Sequence, residues 1–208
     1  LSGLVGSEMC IRDRGNASDM TTAVYPGSFN PPTVAHLEIS QATRTHFNVD
    51  TVVWAVSRVA LAKEEVVRPL FEHRIAVLEK VADDFGWLEI QVTEDQLLAD
   101  IALGYDLLVM GADKWHQIQD PVFYQNDPAL RDSVLSNLPR VAVAPREPFD
   151  VPPELELPLP ATLRSVSSSE ARSGSTSLML QAAHEFDIAT GAWTDIGRYE
   201  RWLTEKTD

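Results

Sequence analysis

The residues best suited to chemistry lie in one short segment near the start of the chain. Residues 25–36 read Tyr-Pro-Gly-Ser-Phe-Asn-Pro-Pro-Thr-Val-Ala-His, a glycine turn that leads into a predicted helix. Thr33 and His36 are three residues apart, so they share one face of the first helical turn. Free backbone amides and the positive end of the helix dipole attract phosphate there. The segment therefore predicts a phosphate site in which His36 stabilises developing negative charge.

A second polar cluster lies far downstream, at residues 166–172, which read Val-Ser-Ser-Ser-Glu-Ala-Arg. Hydroxyls at the start of a helix either cap free backbone amides or bind phosphate oxygens. Arg172 presents a planar fork of donors that suits phosphate. On its own, a serine run of this kind indicates a helix cap or a linker more often than a binding site. Its position downstream of the first segment favours the phosphate interpretation.

Residues 25–36 resemble the signature of the HxGH nucleotidyltransferases, the adenylyl- and cytidylyltransferases of cofactor synthesis. In that family a strand, loop and helix run Gly-x-Phe-Asp/Asn-Pro-x-His/Thr-x-Gly-His. The matching positions are Gly27, Phe29, Asn30, Pro31, Thr33 and His36. Ala35 departs from the pattern, because the family has glycine there and a methyl group could crowd the approach of ATP to the backbone. Residues 166–172 are similar to the family's Ile-Ser-Ser-Thr-x-x-Arg.

The resemblance implies a set of site residues. The implied catalytic residues are Thr33, His36 and Arg172. The residues implied to bind ATP are Gly27, Ser28, Phe29, His36, Gly111, Asp113, Ser167, Ser168, Ser169 and Arg172. The residues implied to bind the acceptor are Lys63, Arg74 and Trp115. Mg²⁺ is expected to arrive with ATP, since no carboxylate cage of the protein's own is visible in the sequence.

A third motif, Gly-Ala-Asp-Lys-Trp at residues 111–115, follows an apolar strand. The pyridine-nucleotide branch of the family has a Gly-x-Asp here that holds the adenosine ribose, and by resemblance Asp113 takes that role. Trp115 either stacks on a pyridine ring or fills the core. Lys63 and Arg74 are weaker candidates, because exposed cations often serve solvation alone. Arg146, just past the fifth predicted strand, is a candidate on the same terms.

Alternating strand-like and helix-like segments must position these motifs. Strands are predicted at residues 23–25, 49–56, 87–93, 106–110 and 140–144, and helices at 33–47, 71–85, 96–103, 128–138, 176–186 and 195–205. The clearest helix repeats Phe71, Ile75 and Leu78 at helical spacing and has Arg74 on its polar side. This order predicts an α/β fold, a Rossmann-like doubly wound parallel sheet of about five strands with C-terminal helices. In such sheets ligands bind beyond the carboxyl ends of the strands.

Composition limits the classes of partner. The 208 residues carry 17 basic and 31 acidic side chains, a net charge of −14, which argues against a broad nucleic-acid surface. No apolar run reaches the roughly 20 residues of a membrane span. One cysteine allows no internal disulfide and fits a cytoplasmic location.

The first residues of the chain read unlike the rest. Residues 4–14 resemble a translated sequencing adapter, and Met20 opens directly into a predicted strand. We therefore predict a non-native tail at residues 1–19 and a single nucleotidyltransferase domain at residues 20–208. The alternative is a native tail.

The expected activity is transfer of AMP from ATP to the phosphate of a nicotinate or nicotinamide mononucleotide, with release of pyrophosphate. The string at residues 111–115 favours that acceptor. Phosphopantetheine is the competing acceptor, favoured by the Tyr-Pro-Gly-Ser-Phe opening together with Thr33. A non-catalytic nucleotide-binding protein is a third alternative, suggested by Ala35. The expected partners are thus ATP and a small phosphorylated acceptor, with no nucleic acid and no membrane.

Overall fold

The computed structural model describes residues 20–58 and 69–206, and a parallel sheet lies at its centre. Its strands are β1 (Thr22–Pro26), β2 (Thr51–Ser57), β3 (Leu88–Thr93), β4 (Leu107–Gly111) and β5 (Arg140–Ala144). All neighbouring strands pair in parallel, in the order β3-β2-β1-β4-β5. This order confirms the predicted doubly wound sheet. The predicted tail at residues 1–19 and the candidate Lys63 lie outside the described residues.

Helices follow the strands in alternation and then close the chain. Their bounds are α1 (Val34–Phe47), α2 (Phe71–Ala82), α3 (Leu98–Ile101), α4 (Ala112–Gln117), α5 (Pro128–Ser136), α6 (Ser168–Arg172), α7 (Gln181–Thr190) and α8 (Ile196–Glu205). None of these described helices combines the length and the apolar content that crossing a bilayer requires.

The predicted helix at residues 176–186 begins later than expected. Residues Thr176–Leu178 form a short 3₁₀ turn, and α7 starts only at Gln181. Between them, Met179 forms an antiparallel bridge with Thr33, and the Leu180 amide donates to the Pro32 carbonyl at 3.1 Å. A long-range contact therefore holds this stretch extended, which local helical periodicity does not reveal.

Both faces of the sheet are buried because side chains alternate between them along each strand. On one face, residues such as Trp54 and Val109 pack against α1, α2, α7 and α8. On the other, residues such as Leu108 and Val143 pack against α3 and the start of α4. The indole of Trp54 also donates to the Ser40 hydroxyl of α1 at 2.8 Å, which anchors that helix to β2.

The strand order places a topological switch point between β1 and β4. The chain moves outward from β1 to β2 and β3, and then returns to the other side of β1 to form β4 and β5. Connections leave β1 and β4 in opposite directions at such a point, and a crevice opens beyond the strand ends. The loop after β1 and the Gly-Ala-Asp string after β4 both lie at this edge.

Candidate active site

The loop after β1 is built on a buried phenylalanine. Phe29 is 1% exposed, and its ring stacks on Trp54 with the centroids 4.5 Å apart. A Cβ placed on Gly27 would lie 3.0 Å from the Phe29 ring, so glycine is what allows the turn to close over it. The Phe29 ring therefore supports the loop from below, and its contact with ATP stays a prediction. Ser28, by contrast, is exposed at the turn.

Thr33 and His36 form a reciprocal cap at the start of α1. The Thr33 hydroxyl caps the His36 amide, while His36 Nδ1 accepts from the Thr33 amide at 2.9 Å. A backbone amide can only donate, so Nδ1 carries no proton and the neutral ring carries its proton on Nε2. Thr33 is fully buried, so it offers no exposed surface to a ligand, and its catalytic role stays a prediction. Its contacts fix the orientation of His36.

Burial and the positive charge of Arg146 lower the pKa of His36 to about 4. At neutral pH the imidazole is therefore an uncharged hydrogen-bond donor. Its neighbour Tyr25 has a raised pKa, chiefly because it is buried and also because the Asp113 carboxylate is near, while Arg146 acts in the opposite direction. The Tyr25 and His36 rings lie 6.1 Å apart. Residues from β1, α1 and the segments after β4 and β5 thus meet at this edge.

Arg146, which the sequence ranked only as a weak candidate beside Lys63 and Arg74, lies within this group of residues. Its charge acts on both His36 and Tyr25, and it is partly buried two residues after the end of β5. The signal that could have ranked it higher is its place at the carboxyl end of a parallel strand.

The serine-rich motif docks directly on the loop after β1. Ser167 caps α6 by accepting from the Glu170 amide at 3.1 Å, and the Ser168 hydroxyl donates to the Pro31 carbonyl at 2.8 Å. Arg172 donates to the Asn30 carbonyl and, at 3.0 Å, to the Ser169 hydroxyl. All three serine hydroxyls thus have partners within the protein, and the partner of the Ser169 hydroxyl is the exposed Arg172. Ser169 and Arg172 remain exposed beside the loop, where a ligand can reach them.

The Gly-Ala-Asp string turns from β4 straight into α4. A Cβ on Gly111 would lie 2.6 Å from the Asp113 carboxylate, so glycine leaves the space that this carboxylate occupies. Asp113 is partly buried and close enough to β1 to raise the pKa of Tyr25. Trp115 is partly buried and packs against the hydrophobic cluster on the α3–α4 face of the sheet. Much of the Trp115 side chain is therefore occupied by packing within the protein.

Arg74 does not lie where its helix pattern suggested. It is only 5% exposed, and its guanidinium lies 5.3 Å from the centre of the Phe71 ring. The prediction that it occupies the polar side of α2 is wrong, because Arg74 shares the inward face with Val77, Leu78 and Val81. A guanidinium buried this deeply generally requires compensating contacts.

Within residues 20–58 and 69–206, no group of three or more His, Cys, Asp or Glu side chains is arranged to hold a metal ion.

Comparison with known proteins shows the family of this chain. Residues 24–173 match the family model described as cytidylyltransferase-like. A protein described as a probable nicotinate-nucleotide adenylyltransferase from Salinibacter ruber is 34% identical over 64 residues, which cover 31% of this chain and 33% of that protein. The match thus spans about a third of that relative's length.

A solved structure shares the fold. It is the Plasmodium falciparum nicotinic acid mononucleotide adenylyltransferase complexed with NaAD, which matches with a TM-score of 0.52 and 14% identity. The match covers 81% of this chain and 95% of that one, and at this identity it bears on the fold alone. With the family model matching most of the chain, from β1 through the serine-rich motif, the protein belongs to the cytidylyltransferase-like nucleotidyltransferase family.

Proposed function

We propose that this protein is an adenylyltransferase that joins AMP from ATP to the phosphate of a pyridine mononucleotide and releases pyrophosphate. The observation that carries the proposal is the neutral His36, held by Thr33 beside the charge of Arg146 at the switch point of the sheet. The Salinibacter relative supports a nicotinate mononucleotide as the acceptor.

The reaction requires positioning more than acid–base chemistry. An oxygen of the acceptor phosphate attacks the α-phosphorus of ATP, a new P–O bond forms there, and the bond to the β-phosphate breaks. A phosphate monoester is already ionised at neutral pH, so no general base is needed. His36 donates its Nε2 proton in a hydrogen bond to an oxygen that gains negative charge. Arg172 and Ser169 bind the departing pyrophosphate, and Asp113 accepts from the ribose hydroxyls.

Other parts of the proposal follow from this chemistry. Mg²⁺ enters as the ATP complex and shields the triphosphate charge. The backbone of the turn at Gly27 and Ser28 faces the nucleotide, and Lys63 binds the acceptor phosphate. Arg74 is 5% exposed, so it supports α2 from within and does not bind that phosphate directly. A single domain at residues 20–208 that works in the cytoplasm completes the proposal.

Phosphopantetheine is the second candidate acceptor. It is favoured by Thr33, which occupies the place of the family's more common first histidine. Because Thr33 is buried and bonded to His36, it affects the acceptor only through the position of that ring. The choice between acceptors therefore rests on residues beyond this loop.

A substrate panel tests the proposal. ATP and Mg²⁺ are incubated with nicotinate mononucleotide, nicotinamide mononucleotide or phosphopantetheine, and pyrophosphate release is measured with the His36→Ala variant as the blank. We expect turnover with a pyridine mononucleotide, with nicotinate slightly preferred. Turnover with phosphopantetheine alone would assign the competing acceptor. ATP binding without turnover on any acceptor would support the non-catalytic alternative and overturn the proposal.

A further inference from the structure

The loop at residues 30–32 contains few backbone donors of its own. Pro31 and Pro32 have no amide hydrogen, so the loop depends on donors from elsewhere. Its carbonyls accept from C-terminal groups: Asn30 from Arg172, Pro31 from the Ser168 hydroxyl, and Pro32 from the Leu180 amide. The segment that leads into Thr33 and His36 is therefore held in place by the last third of the chain.

Trp193 supplies a further donor, and it reaches a side chain of this loop. Its indole Nε1 donates to Asn30 Oδ1 at 2.6 Å. Both residues are only 7% exposed, so water cannot easily replace the indole as a donor to the amide oxygen. The Phe186 ring packs against Trp193 with the centroids 5.9 Å apart. Asn30 thus joins the turn before α8 to the loop after β1.

A buried carboxylate holds Trp193 in turn. Asp187 accepts at Oδ1 from the amides of Trp193 at 2.7 Å and Thr194 at 3.1 Å, and at Oδ2 from the Thr194 hydroxyl at 2.6 Å. Charge-assisted bonds of this kind are short and directional. The turn also contains Gly191 at φ +77°, where a Cβ would lie 2.6 Å from the Asp195 carbonyl. The hydrogen bonds to Asp187 therefore fix the backbone that carries the Trp193 indole.

We propose that Trp193 is a positioning residue that orients His36 through Asn30 and the proline loop. Loss of the indole N–H would free the Asn30 side chain and let the loop shift. The Thr33 amide, three residues later, would then no longer meet His36 Nδ1 at its present distance. The kinetic part of this inference rests on the proposed adenylyl transfer, whereas the structural part does not.

Trp193→Phe tests the inference because it keeps an aromatic ring and removes only the donor side of the indole. The matched control is Trp87→Phe, whose partly buried ring packs against Phe85 and Arg44 just before β3, at the amino ends of the strands and away from the loop. We expect kcat to fall on the order of tenfold in Trp193→Phe, as for a slightly misplaced catalytic group. The KM for the acceptor and the turnover of the control should stay near those of the parent protein.

A second measurement requires no substrate. The His36 ring is titrated by NMR in the parent protein and in both tryptophan variants. Trp193→Phe should raise the pKa of His36 toward its ordinary value of about 6.5, because a loosened loop admits water. Trp87→Phe should leave the pKa of His36 unchanged. If adenylyl transfer fails in the parent, this titration still decides whether Trp193 positions His36.

Asn30→Leu extends the test from the other side of the hydrogen bond. It removes the acceptor at similar volume, and it replaces Trp193→Phe as the test if that variant fails to fold. Combining the two substitutions should cost no more kcat than the more severe single one, because both remove one interaction. Unchanged kcat and unchanged His36 titration in Trp193→Phe would overturn the inference, as would fully additive losses in the double variant.

Discussion

At the scale of single residues, the site depends on a histidine whose charge state is set by its surroundings. His36 accepts at Nδ1 from the Thr33 amide, and burial and Arg146 together hold its pKa near 4. In the proposed reaction, a neutral donor would stabilise the negative charge that develops on a phosphate oxygen without losing its proton. Arg146 supplies the fixed positive charge that this histidine lacks.

His36→Ala should fold normally and lose kcat by roughly 10²–10³, the usual cost of removing one preorganised donor. The measurement is steady-state pyrophosphate release with ATP and a pyridine mononucleotide. His46→Ala is the matched control, because His46 is exposed at the far end of the same helix. A fully active His36→Ala protein would contradict the assigned role.

The same histidine should make stability depend on pH. Since its pKa falls from about 6.5 in the unfolded chain to about 4 in the fold, the unfolded state binds more protons between these values. The contribution of His36 to the free energy of unfolding is therefore fully present above pH 6.5, and it declines as the pH falls to 4. The decline should be on the order of 1–3 kcal/mol.

Urea unfolding at several pH values checks this dependence, with His36→Ala as the reference. The pKa of His73 is also lowered, chiefly by burial, so the parent protein contains a second contribution of the same sign. The difference between parent and variant isolates the part due to His36. Parallel curves for the two proteins across pH 4–6.5 would show that His36 titrates normally.

Ala35 departs from the family signature, and its methyl group is buried within the protein. The residue is 6% exposed, so its side chain packs against the protein and leaves little surface for ATP. We expect Ala35→Gly to lower the free energy of unfolding by about 1 kcal/mol, because glycine weakens the helix. ATP affinity, measured by calorimetry, should stay unchanged. Tighter ATP binding in the variant would show that the methyl crowds the nucleotide.

At the scale of elements, α6 separates structural hydroxyls from accessible ones. Ser168 donates to the Pro31 carbonyl, whereas Ser169 is exposed beside Arg172. The short helix thus serves two purposes, since one side holds the loop and the other faces the proposed triphosphate position. Sequence alone gives the three adjacent serines no such distinction.

Ser168→Ala and Ser169→Ala should therefore differ. The first should lower the free energy of unfolding by about 1 kcal/mol, because the Pro31 carbonyl loses its donor. The second should leave stability nearly unchanged and raise the KM for ATP. Ser173→Ala, at the end of the same helix, is the control for both. Equal effects of the Ser168 and Ser169 variants on both quantities would contradict this division.

At the scale of the whole molecule, the two ends of the domain meet at the site. The loop after β1 receives donors from residues 168–193, and residues from β1, β4 and β5 line the same edge. The net charge of −14 is unfavourable for an anionic ligand overall, so local cations such as Arg146 and Arg172 must offset it. We therefore expect the proposed activity to require both the loop after β1 and residues 168–193.

Removal of residues 1–19 tests the proposed domain boundary. The melting temperature and the rate of pyrophosphate release of the shortened protein should match those of the full chain, because the sheet among the described residues is complete with β1 at Thr22–Pro26. Differential scanning calorimetry and the standard assay check this expectation. A loss of several degrees on removal would place these residues within the folded unit.

The sequence by itself determined the sheet, the order of its elements and the segments that reach its binding edge. Those properties depend on local patterns: β-branched runs such as Val52 and Val53, the helical spacing of Phe71 and Leu78, and glycines at strand ends. The rule that ligands bind at the carboxyl ends of parallel strands then located the candidate site.

Only the tertiary structure decided which way the side chains face. Thr33 and Phe29 turn inward, Arg74 is buried on the inner face of α2, and Trp193 reaches Asn30. The last contact joins residues 163 positions apart, and no short sequence pattern encodes such a pairing. Packing free energy, which sums over distant partners, overrides local preference at these positions and so determines which candidates can meet a ligand.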